Sequence, residues 1–389
     1  MMQKKEKLKI GLMTAGAFIS YNVGAGFASG NEILQFFACW DFIGVIKSLL
    51  CGCLTTILFC VVIFKLGDLS QTANVDNAYV WIAGPVFGRL FRLFTDIMVI
   101  SCFMLMFSGA SNVLNQQFMI PDFIGALILG ILTLCVSLGG LKRVESVLGY
   151  AGIIILVYIT IFSIYTLIGT NVNIQSIDLI PKAVEKGIIL RANIFQQIPI
   201  SVLQNLSKYN SPEIEGILYA TQCIIAGFPF YLELGKSKEN EEKSIFKSVL
   251  SAITFYLCIS FVVVILIFNF QSIIDPITGK MYAFPTLAAI NYLWHKGSFT
   301  YSILIFIGIF STTVGYLWVI SDRFFPKGEK TKKNNIFIVS MVLIGMILGK
   351  YIPFSKLINF LFPMIGIIGL FMLCICCAKL LHLKITSKK

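Results

Sequence analysis

Long apolar blocks are the feature of this sequence that most restricts its fold. Ten blocks, numbered here as spans 1 to 10, cover residues 8–39, 42–66, 87–116, 121–140, 144–169, 213–235, 244–269, 299–324, 334–351 and 354–380. About 20 apolar residues cross the hydrocarbon core as a helix, and inside lipid a backbone must satisfy its own hydrogen bonds. A β-barrel would need short segments of alternating polarity, whereas these blocks are continuous. The sequence therefore predicts an all-α polytopic membrane protein with about ten transmembrane helices.

The distribution of charge predicts how these spans are oriented. Only 13% of the residues are charged, yet the net charge is +12. With a cytoplasmic N-terminus, every segment on the inner side carries two or more Lys or Arg residues, and the outer loop 117–122 carries none. This is the positive-inside pattern. It predicts that both termini are cytoplasmic, and it explains the net charge without a nucleic-acid partner. The basic start followed by an apolar run is similar to a signal peptide, but the run continues to Cys39, so we expect an uncleaved first span.

Ten spans divide into two halves of five, and an odd number of spans gives the second half the inverted topology. We therefore expect a first five-helix repeat at 1–169, an extracellular connection at 170–212, a second repeat at 213–380 and a cytoplasmic tail at 381–389. Both long connections, 170–212 and 270–298, are expected to contain short interfacial helices. Inverted repeats are typical of secondary transporters that bind their solutes at discontinuous helices in matching positions of the two halves.

Spans 1 and 6, which are the first of each half, both contain helix-breaking residues. Span 1 contains "AGFASGNE" (25–32) and span 6 contains "AGFPFYLE" (226–233), so Ala-Gly-Phe precedes a glutamate in each. Gly24, Gly26 and Gly30 break the first pattern, and Gly227 and Pro229 break the second. Unwound backbone exposes carbonyls that suit a cation and a half-helix N-terminus that suits an anion. Glycines that only allow close helix packing are the structural alternative. We expect helices 1 and 6 to be discontinuous.

Glu32 lies about 9 Å beyond the expected break in span 1, because a helix rises about 1.5 Å per residue. It is therefore still within the membrane, where ionisable residues are costly and usually functional. Three roles stay open for it: carrying a coupling proton, pairing with a cation, or lining the extracellular vestibule. The structural alternative is an ion pair with Lys47 of span 2.

Span 8 contains three consecutive hydroxyl residues, Ser311, Thr312 and Thr313. A single hydroxyl in a span usually donates to the carbonyl one turn earlier. Three together at mid-span, with the carbonyl of Ile309, indicate hard oxygen donors for a sodium-like ion.

The sequence contains none of the common catalytic or nucleotide-binding motifs and no soluble domain to carry one. The cysteines lie mostly in apolar runs and lack paired metal-binding spacings. We therefore expect neither an enzyme nor a disulfide or metal cofactor, apart from Na⁺ as a coupling ion.

The stretch "NVGAGFASGNEILQFF" (22–37) closely resembles the start of the YkvI-like bacterial membrane proteins, and the resemblance extends through "FSTTVGYLW" in span 8. The family resembles a branch of the amino acid–polyamine–organocation superfamily with the LeuT-type 5+5 inverted fold. This implies a multi-pass protein of the bacterial cytoplasmic membrane.

The LeuT-type pattern also implies sites. Its sodium site corresponds here to Ser20, Val23, Ile309, Thr312 and Thr313. Its substrate site corresponds to Asn22, Gly24, Ala25, Gly26, Phe103, Phe107, Gln222, Cys223, Gly227 and Phe228. This chain departs from many relatives because span 3 contains no tyrosine. Glu32 is not general among sodium-coupled carriers, so proton coupling stays open.

The sequence therefore favours a secondary active transporter of a small solute, which we expect to be an amino acid, coupled to Na⁺ or H⁺. Its partners would be the lipid bilayer and the solute. The alternative is a ligand-sensing membrane subunit, similar to a spore-germinant receptor component, which binds its ligand without turnover. An ion channel is less favoured, since no repeated filter loop is found.

Overall fold

The computed structural model describes residues 2–70, 75–139, 141–169, 179–189, 191, 211–235, 241–282, 284–325, 332–349 and 354–386. These residues are almost entirely helical. The α-helices in chain order are α1 (Met2–Asn22), α2 (Ala25–Ser29), α3 (Asn31–Ile33), α4 (Phe42–Leu69), α5 (Val75–Phe118), α6 (Asp122–Ser137), α7 (Leu141–Gly169), α8 (Leu179–Glu185), α9 (Pro212–Ala226), α10 (Phe228–Gly235), α11 (Glu241–Phe268), α12 (Pro285–Leu293), α13 (His295–Phe324), α14 (Lys332–Gly349) and α15 (Phe354–Thr386). A π-helix at Leu34–Ala38 follows α3, and a 3₁₀-helix at Phe270–Ile273 follows α11.

Seven helices in the described part of the chain are long and apolar enough to cross a membrane, and α9 with α10 form an eighth span bent by 73°. The other two predicted spans correspond to α1 with its continuation and to α6. Lysines occupy the start of α1, and α6 has only 16 residues. The polytopic all-α class is thus confirmed, while the number of ten spans stays a prediction.

An exposed apolar stripe on α4 shows what surrounds these helices. Ile46, Leu50, Leu54 and Leu58 recur about every four residues, and each is between 42% and 65% exposed. Spacing of this kind places them on one face of the helix. A large exposed apolar face is unfavourable in water and suits lipid.

Spans 1 and 6 pack in equivalent surroundings. Span 1 packs mainly against α7 (span 5) and α11 (span 7), and span 6 packs mainly against α15 (span 10) and α4 (span 2). Spans 5 and 7 around span 1 correspond to spans 10 and 2 around span 6 when each span is exchanged for the one five positions away. The exchange supports the division into repeats 1–169 and 213–380, which stays a prediction.

The contact between α1 and α7 is a close approach of two backbones. A Cβ atom added to Gly152 would overlap the carbonyl oxygen of Gly16. Small residues allow transmembrane helices to pack at this separation, where van der Waals contact is the main source of stability.

Short helices occur in both long connections, as predicted. Helix α8 lies within 170–212, of which 170–178, 190 and 192–210 are outside the described residues. The second connection contains the 3₁₀-helix and α12, and the side chain of Thr286 in α12 donates a hydrogen bond to the Ala28 carbonyl at 2.9 Å. Helix α12 therefore lies against the second half of span 1.

The start predicted for span 3 is wrong. Helix α5 begins at Val75 rather than at residue 87, with a kink at Gly84 (φ 79°) immediately before Pro85. Glycine and proline disfavour helix, so these two residues concealed the helical segment that precedes them. Helix α15 continues to Thr386, within the predicted tail at 381–389, and the cytoplasmic location of that tail stays a prediction.

Candidate functional site

Span 1 is interrupted at Val23 and Gly24. Helix α1 ends at Asn22, and Gly24 is extended (φ −81°, ψ −167°) where it precedes α2. A second interruption follows at Gly30, whose φ of 85° is left-handed, a region that glycine adopts without steric cost. The π-helix at Leu34–Ala38 is a third departure from α geometry, and such segments are frequent at functional sites.

Span 6 is interrupted at Gly227. Helix α9 begins where the Ser211 side chain accepts a hydrogen bond from the Ile214 amide, with Pro212 in its first turn, and both features favour a helix start. Helix α10 begins at Phe228, and Pro229 is tolerated in its first turn because the N–H that it lacks has no helical partner there.

The ends of the two broken spans are joined by side-chain hydrogen bonds. The Tyr21 hydroxyl donates to the Ala226 carbonyl at 3.1 Å, and Asn22 Nδ2 donates to the Tyr231 hydroxyl at 2.7 Å. The Tyr21 ring stacks on Phe230 at 5.0 Å and meets the Tyr316 ring edge-on at 5.2 Å. Both breaks therefore lie at one place in the protein interior, within an aromatic cluster.

Span 8, which is α13, contacts the end of α1 through its hydroxyl residues. Thr312 donates to the Ser20 carbonyl at 2.9 Å, and Ser311 donates to the same oxygen at 3.3 Å. Thr313 donates to the Ile309 carbonyl at 2.6 Å. The Ser20 hydroxyl is buried and has no hydrogen-bond partner among the residues that the structure describes.

The Val23 carbonyl completes this set of oxygens. It faces Gly308 of α13, where an added Cβ would lie 2.8 Å from the oxygen. Of the predicted cation ligands, Ser20, Val23 and Thr312 thus lie at the contact between span 1 and α13, while Thr313 bonds to Ile309 within α13. That these five residues bind a cation stays a prediction. Carbonyl and hydroxyl oxygens suit hard cations.

The phenylalanines predicted on span 3 lie elsewhere. The rings of Phe103 and Phe107 pack edge-to-face at 5.3 Å, and a Cβ on Gly345 of α14 would lie 2.5 Å from the Phe107 ring. Met106 instead lies against Gly24, where an added Cβ would be 3.3 Å from the Met106 methyl group. Met106 is adjacent to Phe107 and so turned by about 100° from it around the helix. Among these three side chains of span 3, Met106 is the one that lies against the break at Gly24.

The remaining predicted substrate residues divide into two groups. Ala25 and Gly26 form the first turn of α2, and Gln222 and Cys223 form the last turns of α9; all are buried. Phe228, by contrast, packs on the Tyr79 ring at 5.1 Å. The guanidinium of Arg323 lies 5.4 Å from the same ring, so Phe228 belongs to the packing between α10 and the start of α5.

Glu32 is buried between the two broken spans. Only 6% of the residue is exposed, and its Oε2 accepts a hydrogen bond from the Tyr219 hydroxyl of α9 at 3.4 Å. Its side chain folds back toward the break, because a Cβ on Gly26 would overlap Glu32 Oε1. The expected alternative of an ion pair with Lys47 is wrong: Lys47 pairs with Glu213 Oε1 at 3.0 Å.

Sequence reasoning missed the tyrosines of the site. Tyr21, Tyr219, Tyr231 and Tyr316 are all buried around the breaks. A signal was present, because a tyrosine inside an apolar span needs a partner for its hydroxyl, and Tyr21 directly precedes the broken segment.

No group of three His, Cys, Asp or Glu side chains that could hold a metal ion occurs within the described ranges. The predicted cation ligands at spans 1 and 8 are hydroxyl and carbonyl oxygens, which are outside such groups.

The fold is shared with solved membrane transporters. The chain is similar to a Na⁺-coupled sialic acid symporter in a substrate-bound outward-open state, with a TM-score of 0.67 and 12% identity over 95% of this chain and 78% of that one. It is also similar to Mhp1, a nucleobase-cation-symport-1 family transporter, with a TM-score of 0.56 and 9% identity over 93% of this chain and 74% of that one. At these identities the likeness establishes the fold alone, which is the LeuT-type fold.

Two proteins of Bacillus subtilis (strain 168) are similar in sequence. The uncharacterized protein YyaD is 23% identical over 356 residues, which are 90% of this chain and 91% of YyaD. The uncharacterized membrane protein YkvI is 22% identical over 368 residues, which are 92% of each chain. No family model matches the sequence. The similarity over nearly the whole chain confirms the resemblance to YkvI-like membrane proteins.

Proposed function

We propose that the protein is a secondary active transporter that moves a small solute across the bilayer by alternating access. The observation that carries the proposal is the meeting of two broken spans, held together by the hydrogen bond from Tyr21 to Ala226. Interrupted helices inside a membrane are tolerated only where they face protein or a hydrated site. In inverted-repeat transporters such helices form the binding site.

The proposed solute is a small molecule and, by preference, an amino acid. Helix α1 ends at Asn22 and α2 begins at Ala25, so the last carbonyls of α1 and the first amide groups of α2 lie at the break, and groups of these two kinds suit the two charges of a zwitterion. The proposed substrate contacts are Asn22, Gly24, Ala25, Gly26, Met106, Gln222, Cys223 and Gly227. The solved proteins of the same fold named above are transporters rather than enzymes, which supports a non-enzymatic function.

The coupling ion would be Na⁺ or H⁺. The five oxygens contributed by spans 1 and 8 suit Na⁺ because hard cations prefer oxygen ligands. Two of these oxygens, the Thr312 hydroxyl and the Ser20 carbonyl, already lie 2.9 Å apart. Glu32 is the alternative group, since a buried carboxylate can carry a proton. One of the solved proteins that share the fold is described as Na⁺-coupled, which adds support for Na⁺.

The protein would lie in the bacterial cytoplasmic membrane with both termini inside, following the distribution of lysine and arginine. Membership of the amino acid–polyamine–organocation superfamily belongs to the same proposal.

A ligand-sensing subunit is the second candidate function. The observation that favours it is the dense packing of the broken spans, where Tyr21 and Asn22 each bond across the break. A sensor would bind its ligand there without releasing it on the other side.

Uptake into proteoliposomes tests the proposal. The purified full-length protein is reconstituted, Na⁺ or H⁺ gradients are imposed separately, and labelled amino acids are supplied as a panel. We expect accumulation above equilibrium under one gradient and its loss when that gradient is collapsed. Saturable binding without accumulation under either gradient would favour the sensor. The Thr312→Ala/Thr313→Ala variant should lose sodium-driven uptake, and unaffected uptake would exclude the proposed sodium site.

A further inference from the structure

The position of Glu32 is fixed by the backbone on both sides of it. The left-handed turn at Gly30 redirects the chain after α2, and the side chain then folds back over Gly26. Tyr219 anchors one carboxylate oxygen through its hydroxyl at 3.4 Å, while the aromatic rings of Phe36 and Phe37 pack around Tyr219 at 5.1 and 4.9 Å. The carboxylate therefore has a defined place beside the break, with its Oε1 directed toward α2.

In the described part of the chain, no cationic side chain balances the charge of this carboxylate. None of the lysines, arginines or histidines in the described ranges forms an ion pair with Glu32, and the lysine of span 2 is engaged by Glu213 instead. The titratable side chains near it are tyrosines and cysteines, which cannot carry a positive charge, namely Tyr219, Cys223, Tyr316 and Cys102. Burial of an unpaired carboxylate costs several kcal/mol. A positively charged group bound from solution would offset part of this cost.

Further acceptors lie on the same face of α9. Gln222 is one turn beyond Tyr219, only 5% exposed, and its Oε1 has no hydrogen-bond partner among the residues described. Residues three apart on a helix are neighbours on its surface. Helix α9 also ends at Ala226, and the C-terminus of a helix carries partial negative charge. The carboxylate, the amide oxygen and the helix end all favour a positively charged donor.

A protonated amine fits this set better than a metal ion does. An ammonium group has three N–H donors and no acceptor, which matches an arrangement of a few acceptors between aromatic rings, since ammonium groups are also attracted to aromatic faces. A hard metal ion needs about six oxygen ligands around it. The carbonyl and hydroxyl oxygens that suit such an ion lie at a different place, around Ser20 at the end of α1 and Thr312 of α13.

We infer that the Glu32 carboxylate, positioned by Tyr219 and assisted by Gln222 Oε1, binds the protonated amino group of the solute. The inference rests on the proposed function and narrows it to solutes that carry an amine. The positive charge of the amine balances the buried carboxylate when the solute is bound, and a proton held by the empty carboxyl group is released to solution as the amine binds.

Matched ligands test the inference on the wild-type protein. Binding is measured on purified full-length protein by thermal stabilisation and by titration, with each standard amino acid, its des-amino carboxylic acid and its decarboxylated amine. We expect at least one amine-bearing ligand to bind and its des-amino counterpart to bind about tenfold more weakly or worse, as for loss of a charged hydrogen bond. Equal binding of the two, or no binding by any amine in the panel, would overturn the inference.

Variants test whether Glu32 causes the preference for ligands that carry an amine. Glu32→Gln should remove the preference for the amine, and Glu32→Asp should retain part of it. Tyr219→Phe, which keeps the ring but not the hydroxyl, should weaken the preference without removing it. Glu213→Gln is the matched control, because that carboxylate pairs with Lys47 at the protein surface, and it should bind as the wild type does.

Two outcomes separate this inference from the proposed function. Amine binding that depends on Glu32, with no accumulation under any gradient in proteoliposomes, would support the inference and refute transport. Amine binding that survives Glu32→Gln, together with loss of proton-driven uptake in that variant, would overturn the inference and assign Glu32 to the coupling proton.

Discussion

The hydroxyl of Tyr21 donates a hydrogen bond to the carbonyl oxygen of Ala226, and this bond of 3.1 Å joins the end of α1 to the end of α9. The last carbonyls of a helix have no partner within it. At Ala226 that deficit is met by a residue from the other half of the chain. Because the two residues are 205 positions apart in sequence, the bond couples the two breaks directly. A change in the angle of either broken span must stretch or replace it.

Replacement of Tyr21 by phenylalanine should therefore destabilise the protein. The variant keeps the stacked ring but leaves the Ala226 carbonyl buried without this donor, which costs about 1 kcal/mol or somewhat more. We expect a lower Tm in detergent, measured by thermal unfolding. Tyr150→Phe is the control, since Tyr150 is 59% exposed on the outer face of α7. If both variants unfold at the same temperature, the bond contributes nothing measurable.

Sodium should stabilise the wild-type protein through the oxygens of spans 1 and 8. A ligand that binds only the folded state at about ten times its Kd adds about 1.4 kcal/mol of stability. We expect Na⁺ to raise the Tm relative to K⁺ at equal ionic strength. Thr312→Val removes the hydroxyl that lies 2.9 Å from the Ser20 carbonyl, with little change of shape, and should abolish the sodium effect.

The matched control for that variant is Thr160→Val. Thr160 also lies in a membrane helix, but its hydroxyl donates only to the Leu156 carbonyl of its own helix at 2.7 Å. This variant should keep the full response to Na⁺. A sodium effect that persists in Thr312→Val would place the ion elsewhere or remove it from the mechanism.

The polytopic class and the places where spans 1 and 6 break could be predicted because both depend on local sequence. Apolar blocks fix the length of a helix in lipid, and glycine and proline at Gly24, Gly227 and Pro229 remove helical stability at the position where they occur. The hydroxyls of span 8 were also recognisable, because three in succession are costly in an apolar helix without partners.

The orientation of side chains toward the site could not be predicted in the same way. Phe103, Phe107 and Met106 are all apolar residues on one helix, and it is the fold that places Phe103 and Phe107 against Gly345 of α14 and Met106 against Gly24. The hydrogen-bond partner of Glu32 could not be predicted either, because it is distant in sequence. Lys47 is closer in sequence, but Tyr219 of span 6 is the residue brought beside the carboxylate by the fold.

The salt bridge between Asp96 and Arg323 should stabilise the contact of α5 with α13. Arg323 Nε and Nη2 both donate to Asp96 Oδ1, at 2.8 and 2.5 Å, and the arginine side chain is only 5% exposed. Charged hydrogen bonds of this kind contribute about 1.5–3 kcal/mol. We expect Asp96→Asn and Arg323→Gln each to lower the Tm, and the double variant to lose clearly less than the two effects added together.

Arg92 provides the control for this cycle. It approaches the same aspartate at 3.8 Å, but its side chain is 39% exposed, and exposed pairs contribute about 1 kcal/mol or less. Arg92→Gln should therefore change the Tm little. Additive losses for Asp96→Asn and Arg323→Gln would show that the two residues act independently.

The turn at Gly30 should tolerate no larger residue. At φ 85° an L-residue is strained, which costs about 1–2 kcal/mol, and a Cβ atom would also lie 2.5 Å from Thr286 Cγ2 of α12. Gly30→Ala should therefore destabilise the protein and displace Glu32, which follows the turn by two residues. Thermal unfolding measures the first effect, and weaker binding of the solute measures the second.

A second substitution separates the strain from the steric clash. Thr286→Ser removes Cγ2 but keeps the hydroxyl that donates to the Ala28 carbonyl at 2.9 Å. If the clash contributes, Gly30→Ala/Thr286→Ser should recover part of the Tm lost by Gly30→Ala alone. Gly279→Ala supplies the reference for strain without a clash, because Gly279 has a φ of 64° and no atom within 4 Å of an added Cβ. If the double variant is no more stable than Gly30→Ala, backbone strain accounts for all of the lost stability. A Gly30→Ala protein as stable as the wild type would contradict the left-handed turn that directs Glu32 to the break.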